Sequence, residues 1–361
     1  MSLTIIIPNR DRDLATVKRS LDSVAPQLQD RAQLTVVDYG SAPAYQLQLQ
    51  DLIATYKNVA LITCPTQGQL WNKSRCINMV LKTCATTHFM VCDMDMLWHP
   101  QFIKTHLAHL PQDHAIYFTV GVMTQEESGL EKSFKNYATK FQTNYEATGI
   151  TVFPTALLLS INGFDEFYHG WGSEDTDAHM RLKNAGYEVR FRESEIYFKH
   201  QWHVKNYRGS TSALPFHPFL ERINHRYFTI SKSLHKTKAN TQQPWGVQCD
   251  LAAYAKLELP TQVVELTATK ETVHALTQVL QDLEHVTVLQ LEIAADPQAK
   301  TLKTQVKKAL GKKTLGYITL EQVNEHLLEH LILKHRNNPY SYSFDRHKGS
   351  IKWVIHVNTG S

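Results

Sequence analysis

Nowhere in this 361-residue sequence does an apolar run approach the roughly 20 residues that a membrane-spanning helix needs. The opening MSLTIIIPNR carries a short apolar run ended by Pro8 and Asn9, with no basic leader and no cleavage site, so no signal peptide is expected. Cysteine is scarce. The five present (Cys64, Cys76, Cys84, Cys92, Cys249) form neither a CxxC pair nor an even framework, which predicts reduced, mostly buried thiols in a cytosolic compartment. Strong charge of either sign is missing too: 38 basic against 34 acidic residues leave a formal +4, which does not by itself imply nucleic acid. Also absent are a GxxxxGK[ST] loop and a GxGxxG after the first strand, which disfavours P-loop kinases and dinucleotide oxidoreductases. Internal repeats and low-complexity segments are lacking as well. What remains, 42% hydrophobic and 20% charged, is an ordinary globular composition with ample core for one large domain and a small one.

Taken in order, the chain alternates strand and helix signals. Leu3–Pro8 is a β-branched run read as a buried strand stopped by proline, followed by Arg10–Asp13 and a helix to about Val24. Leu34–Asp38 reads as a second strand ending in the turn Asp38-Tyr39-Gly40-Ser41. A helix at Ala44–Tyr56, a strand at Val59–Thr63, a glycine-centred loop at Gln67–Gln69 and a helix at Trp71–Thr83 follow. His88–Cys92 is a fourth strand ending in Asp93-Met94-Asp95. Such alternation predicts a mostly parallel sheet, whose ligands sit outside the carboxyl ends of the strands, where Arg10, Arg12, Asp38, Asp93 and Asp95 fall. AIYFTVGVM and ITVFPTALLLS, between Ala115 and Leu159, read as later strands around a polar insertion. Glu188–Phe198 is a further strand region leading to Lys199-His200-Gln201-Trp202-His203. The Lys-, Arg-, His- and aromatic-rich stretch from there to about Asn240 is expected to wrap the site. A linker at Thr237–Pro244 separates residues 1–240 from a small α/β region, 241–361. That tail has strands at Gln262–Leu266, Val286–Leu291 and Ile351–Val357, a helix to about Leu283, a basic helix near Leu302–Leu310 and a helix at Leu320–Lys334.

Two stretches carry chemistry. Asp93 and Asp95 at a strand end can aim two carboxylates at one divalent cation that keeps open positions for diphosphate oxygens. His200 and His203 are candidate imidazole ligands, compatible with Mn²⁺ as well as Mg²⁺. Gly163–Leu182 joins a glycine- and aromatic-rich turn to a helix start. Ser173 is its expected hydroxyl N-cap, Glu174 and Asp175 occupy the positive end of the dipole, and Gly186 closes the helix. The same stretch gives Trp171 as a flat apolar face, Glu174 as an acceptor of hydrogen bonds and Asp175 as a base.

These residues resemble the family 2 and family 7 glycosyltransferases of the GT-A fold. IIIPNRDR is similar to their opening VIIPxRxR. VVDYGS is similar to their VVDdGS, whose Asp holds the nucleotide base. WNKSRCIN resembles the helix after their donor-binding loop, and CDMDM stands where they carry the metal-binding DxD. GFDEFYHGWGSED is closest to the GFxxxYxGWGxED of β-1,4-galactosyltransferases and chondroitin-polymerase-like enzymes. YFKH resembles the strand whose His completes the metal site. The likeness spans roughly residues 3–210, and nothing like the family covers Pro244–Ser361. It implies an α/β, Rossmann-like GT-A fold with a mostly parallel sheet and helices on both faces. It also implies inverting transfer from a UDP-sugar donor to a glycan or polysaccharide hydroxyl, with Mn²⁺ or Mg²⁺ as cofactor. Carried over by residue, Pro8, Arg10, Arg12, Asp38, Gly68, Lys73, Asp93 and Met94 would bind the nucleotide-sugar. Asp95 would bind metal with His200 or His203, Trp171 and Glu174 would bind the acceptor, and Asp175 would be the general base. Asn9 and Asp11 depart from the usual Phe and Asn, and the family's basic helix position is Lys73.

Two other readings compete. A sugar-phosphate nucleotidyltransferase also pairs Asp residues with Mg²⁺, but wants a Gly-rich phosphate loop where this chain has Pro-Asn-Arg. A non-catalytic glycan-binding protein on the same fold fits poorly with Asp93, Asp95, Glu174 and Asp175 all being present. Asp175→Asn is expected to be nearly neutral to stability, since a helix-dipole contact is worth only about 0.3–1 kcal/mol. The expected location is cytoplasmic, with peripheral contact at the inner face of a membrane left open by the basic helix.

Overall fold

The computed structural model describes residues 1–28, 30–193, 195–204, 218–280 and 287–357. Its contacts divide it into two compact units. The first comprises Met1–Cys64, Trp71–Lys205 and Leu220–Gln248, and the second includes Pro65–Leu70 and Cys249–Ser361.

In the first unit the strands are β1 (Leu3–Asn9), β2 (Ala32–Tyr39), β3 (Val59–Cys64), β4 (His88–Val91), β5 (Met96–Trp98), β6 (His114–Phe118), β7 (Val120–Val122), β8 (Phe141–Gln142), β9 (Thr151–Pro154), β10 (Glu188–Arg192) and β11 (Phe198–His200). A seven-stranded sheet runs in the order β10-β6-β9-β4-β1-β2-β3. It is parallel except for β9, which runs antiparallel to both β4 and β6. This is the expected α/β architecture. β1 is buried along its whole length, as LTIIIPN demands, because it lies between β2 and β4. Its side chains meet Val17 and Leu21 of the helix Leu14–Val24 in the main core. Asp13 starts that helix, its carboxylate accepting from Thr16 N at 2.9 Å.

β1 does not stop at Pro8. The strand continues through Pro8 to Asn9, since its pairing with β4 ends at Ile6 and no partner there needs the missing N–H. TALLLS is the second revision: β9 ends at Pro154 and Thr155–Ser160 turns into a helix, so only the first half of that apolar run is strand. A second, four-stranded sheet, β5-β11-β7-β8, is built from strands of two or three residues.

The second unit has strands β12 (Gln262–Thr267), β13 (Thr287–Ala294), β14 (Tyr340–Asp345) and β15 (Ser350–Val357), in the order β12-β13-β15-β14. Only β12 and β13 are parallel. β14 was not expected from the sequence, because YSYSFD shows three serine and aspartate positions. Its period-2 pattern buries Tyr340, Tyr342 and Phe344. The helix expected to reach Leu283 spans Lys270–Val279. Residues 281–286, with the expected strand start at Val286, lie outside the described residues, as do 205–217 of the basic aromatic stretch. Pro218–Ser233 within that stretch is a helix. The five cysteines are free, with Cys64, Cys76 and Cys92 buried. Among the described residues no helix is long and apolar enough to cross a membrane.

Candidate active site

Asp93, Met94 and Asp95 leave the carboxyl end of β4 and lead into β5. β5 pairs antiparallel with β11, which sets Met96 opposite His200. One step on, Gln201 N donates to Asp95 O at 2.8 Å. This short pairing, rather than any nearness in sequence, brings both histidines to Asp95. His203 Nε2 lies 3.2 Å from Asp95 Oδ2, His200 Nε2 3.6 Å from Oδ1 and Arg12 Nη2 3.1 Å from Oδ2. Burial alone would push the Asp95 carboxyl up. The hydrogen bond from His203, with His200 and Arg12 alongside, wins and holds it at about 2.

The donor set fits a divalent cation. One carboxylate oxygen and two imidazole nitrogens lie within 4.8 Å of one another. Asp95 Oδ1 is buried yet accepts no hydrogen bond, which is costly unless something else meets it. His203 Nδ1 faces Val204 O at 3.1 Å, so with the proton on Nδ1 the ring's Nε2 would turn a lone pair to a cation in place of its hydrogen bond to Asp95. A mixed oxygen–nitrogen set suits Mn²⁺ better than Mg²⁺, which favours oxygen ligands.

At the ends of β1 and β2 the expected nucleotide residues are held by contacts within the protein. Asp38 is fully buried and both its oxygens are in use. Oδ1 accepts from Asn9 Nδ2 at 2.8 Å and Ser41 Oγ at 2.6 Å, and Oδ2 from Gln46 Nε2 at 2.9 Å. Asn9, the departure from the family pattern, thus ties β1 to β2. Arg10 lies over the rings of Tyr39 and Trp71, 5.8 and 6.0 Å from their centroids. Met94 packs its side chain into the main core. Gly68 belongs to the second unit, where its carbonyl accepts from Tyr342 N at 2.9 Å. A Cβ there would lie 3.0 Å from Ser341 Cβ.

The two halves of the site meet on Lys73. Its Nζ lies 3.0 Å from Asp93 Oδ1, 2.9 Å from Asp175 Oδ2 and 3.8 Å from Glu174 Oε1. Asn72 begins this lysine's helix, Lys73–Leu81, its side chain accepting from Arg75 N at 2.9 Å. Asn72 Nδ2 donates to Glu166 O at 3.0 Å, and Asn78 Nδ2 to Phe164 O at 2.8 Å and Glu166 Oε1 at 2.9 Å. The polar positions of WNKSRCIN therefore fasten the helix to the GFDEF loop. Three carboxylates share one lysine, so the cluster has an excess of negative charge. Burial pushes the Asp175 carboxyl up, Lys73 opposes this, and Glu174 and Asp93 reinforce it, leaving it at about 8. Lys73 is driven the other way by burial, but Asp175, Asp93 and Glu174 outweigh that and hold it firmly charged.

The helix carrying Glu174 and Asp175 runs Glu174–Asn184. Ser173 does occupy the N-cap position, but its hydroxyl caps nothing. Its backbone is left-handed, φ +75°, which turns the side chain away from the first-turn amides. The helix start is instead held by Arg181, which is fully buried. Its Nε donates to Asp177 Oδ2 at 2.6 Å, and Nη1 donates to Ile161 O and Gly163 O, both at 2.9 Å. Tyr168 Oη donates to the other Asp177 oxygen at 3.1 Å. Gly186, at φ +89°, ends the helix as expected, with Gly186 N bonding Lys183 O and Tyr187 N bonding Leu182 O. Gly170 and Gly172, at φ +74° and +107°, flank Trp171, which is 51% exposed.

Gly149 was missed in the sequence. A Cβ placed on it would lie 3.3 Å from Asp93 Oδ2 and 3.6 Å from Asp175 Oδ2, so its lack of a side chain keeps the gap between those carboxylates open. The signal was a glycine just ahead of a buried strand, a position that marks close approach of another group.

Comparison with known proteins follows the same two halves. The model of glycosyl transferase family 2 matches residues 4–161, and the one described as the N-terminal domain of galactosyltransferase matches residues 129–204. Among solved structures, S. aureus TarS 1-349 in complex with UDP-GlcNAc is 15% identical, with a TM-score of 0.47 over 65% of this chain and 69% of that one. The mannosyltransferase PcManGT from Pyrobaculum calidifontis, in complex with GDP-Man and Mn2+, is also 15% identical, with a TM-score of 0.43 over 93% and 88%. With the family matches running from β1 through His203, the chain is a GT-A glycosyltransferase of the family 2 and family 7 type.

Proposed function

We propose that this enzyme transfers a sugar from a UDP-sugar to a glycan hydroxyl with inversion, using Asp175 as general base. The Lys73 cluster carries the reading. It sets the Asp175 carboxyl beside Asp93, at the end of the strand that also leads to the cation-ligand set, where burial, opposed by Lys73 and reinforced by Glu174 and Asp93, raises its pKa to about 8. In the ligand-free protein this carboxyl is mostly protonated at pH 7, so it acts as a base in its ionised fraction, and transfer should rise as pH approaches about 8. Asp175 takes the proton of the acceptor hydroxyl as that oxygen bonds to the anomeric carbon. The bond from that carbon to the diphosphate breaks on the opposite face, and the diphosphate leaves with the electron pair. Lys73 remains charged throughout and limits the repulsion among Asp93, Glu174 and Asp175. Trp171 offers an exposed flat face to a sugar ring, and Glu174 accepts from its hydroxyls. Asp95, His200 and His203 would hold Mn²⁺, which when bound offsets the charge growing on the diphosphate. Arg12 adds positive charge at the same place. UDP as donor nucleotide and a glycan as acceptor rest on the GWGSED likeness. The catalytic residues all belong to the first unit.

Thermal shift with UDP, with and without Mn²⁺, tests the cation half. UDP should stabilise the wild type only with Mn²⁺, and Asp95→Asn should lose that response. Equal stabilisation by UDP without metal would count against the assignment. For the base, Asp175→Asn should keep the UDP–Mn²⁺ response and lose sugar transfer; near-normal transfer would remove Asp175 from the mechanism.

A further inference from the structure

The helix Leu302–Ala309 in the second unit presents its apolar side to water. At 3.6 residues per turn, Leu302, Val306 and the capping Leu310 lie along one side. They are 79%, 55% and 63% exposed. Thr304, on the opposite side, is the helix's buried residue, tied to the N-cap Thr301 through both its amide and its hydroxyl. An ordinary surface helix is oriented the other way round. One flank of the stripe is basic, with Lys303 and Lys307, and Lys312 and Lys313 follow just beyond the helix; Lys308 lies on the far side, over the Tyr317 ring at 5.5 Å. From Pro297 to Leu320 the sequence has six lysines and no aspartate or glutamate.

We propose that this face docks on the surface of an anionic phospholipid bilayer, with Leu302, Val306 and Leu310 inserted at the headgroup boundary. The pattern matches what such a surface offers, apolar depth below and negative charge at the rim. Lysine stems can run along the apolar side chains while their ammonium groups reach phosphate. A second copy of the chain is a poor occupant, because pairing this face with itself would bring two lysine clusters together. A nucleic-acid backbone would meet the lysines but leave the three aliphatic side chains unsatisfied. Docking here is independent of how the sugar-transfer site works.

Sedimentation of the full-length protein with vesicles tests the proposal. One set is phosphatidylcholine alone, the other phosphatidylcholine mixed with phosphatidylglycerol. Binding is expected on the anionic vesicles only and should weaken as salt rises. The triple variant Leu302→Ser, Val306→Ser, Leu310→Ser should bind about tenfold less. The variant Lys303→Gln, Lys307→Gln leaves the apolar face intact and should also lose about tenfold. It carries the test if the serine variant melts lower than the wild type. No binding to anionic vesicles overturns the proposal, as does full binding by the lysine variant. Light scattering supplies the remaining outcome: a change of oligomeric state in the serine variant, without vesicle binding by the wild type, would make the face a protein interface instead.

Discussion

Asp175→Asn should make the ligand-free protein more stable while abolishing transfer. The folded chain holds the Asp175 proton up to about pH 8, because the group is buried beside Glu174 and Asp93 with Lys73 only partly compensating. Unfolded, the same carboxyl releases its proton near pH 4. Below about pH 4 both states are protonated and the group has no net effect. Between about 4 and 8 the unfolded chain is the one that gains by ionising, so stability falls as pH rises, and above about 8 the penalty is constant. At pH 7 the gap is about three units at about 1.4 kcal/mol each, a cost on the order of 4 kcal/mol. Asparagine removes it. Lys73 keeps its contacts with Asp93 at 3.0 Å and Glu174 at 3.8 Å, so it is not stranded. At about 2 °C per kcal/mol for a domain of this size, the melting temperature should rise by about 8 °C at pH 7. The gain should shrink toward zero near pH 4. Calorimetry of both proteins across that range is the assay. A lower melting temperature for the variant, or an unchanged gap between pH 4 and 8, would refute the charge-excess account of this cluster. The near-neutral effect expected from helix-dipole reasoning is thereby replaced: three carboxylates around one lysine dominate a term of a few tenths of a kcal/mol.

Two further outcomes follow from the same geometry. Arg181→Met leaves the Asp177 carboxylate buried without its cation and two backbone carbonyls without their donor, so denaturant unfolding should show a loss of about 3–5 kcal/mol. Adding Asp177→Asn should recover part of that. Gly149→Val places a side chain between Asp93 and Asp175 and should cut transfer by at least about tenfold, while changing stability by only about 1 kcal/mol. Loss of turnover with an intact melting curve checks it.

The parallel sheet was legible because β1, β2 and β4 are short β-branched or apolar runs followed by polar strand ends. Those ends are where Arg12, Asp93 and Asp95 are found. The GWGSED helix was legible in its extent and its Gly186 terminus, but its start was not. A serine before an acidic turn predicts a hydroxyl cap only if its backbone is extended, and the preceding glycines leave Ser173 left-handed. The meeting of His200 and His203 with Asp95 depends on strands of three residues, too short to show a period. β14 was hidden by its serines, whose polarity masks an alternation visible only in which positions are buried. The charge excess around Lys73 needed distances, since its carboxylates come from two widely separated stretches.

Asp95 and His200 lie about a hundred residues apart in sequence, and closing a chain loop of that length has an entropic cost that grows as its logarithm. The β5–β11 ladder and the Gln201–Asp95 bond close that loop through the backbone alone. A divalent ion held by Asp95, His200 and His203 would therefore enter a ring whose circumference the backbone sets, rather than acting as the rivet that draws it shut. Metal binding would then be independent of folding, and a chelator should leave the chain folded, as its melting curve would show.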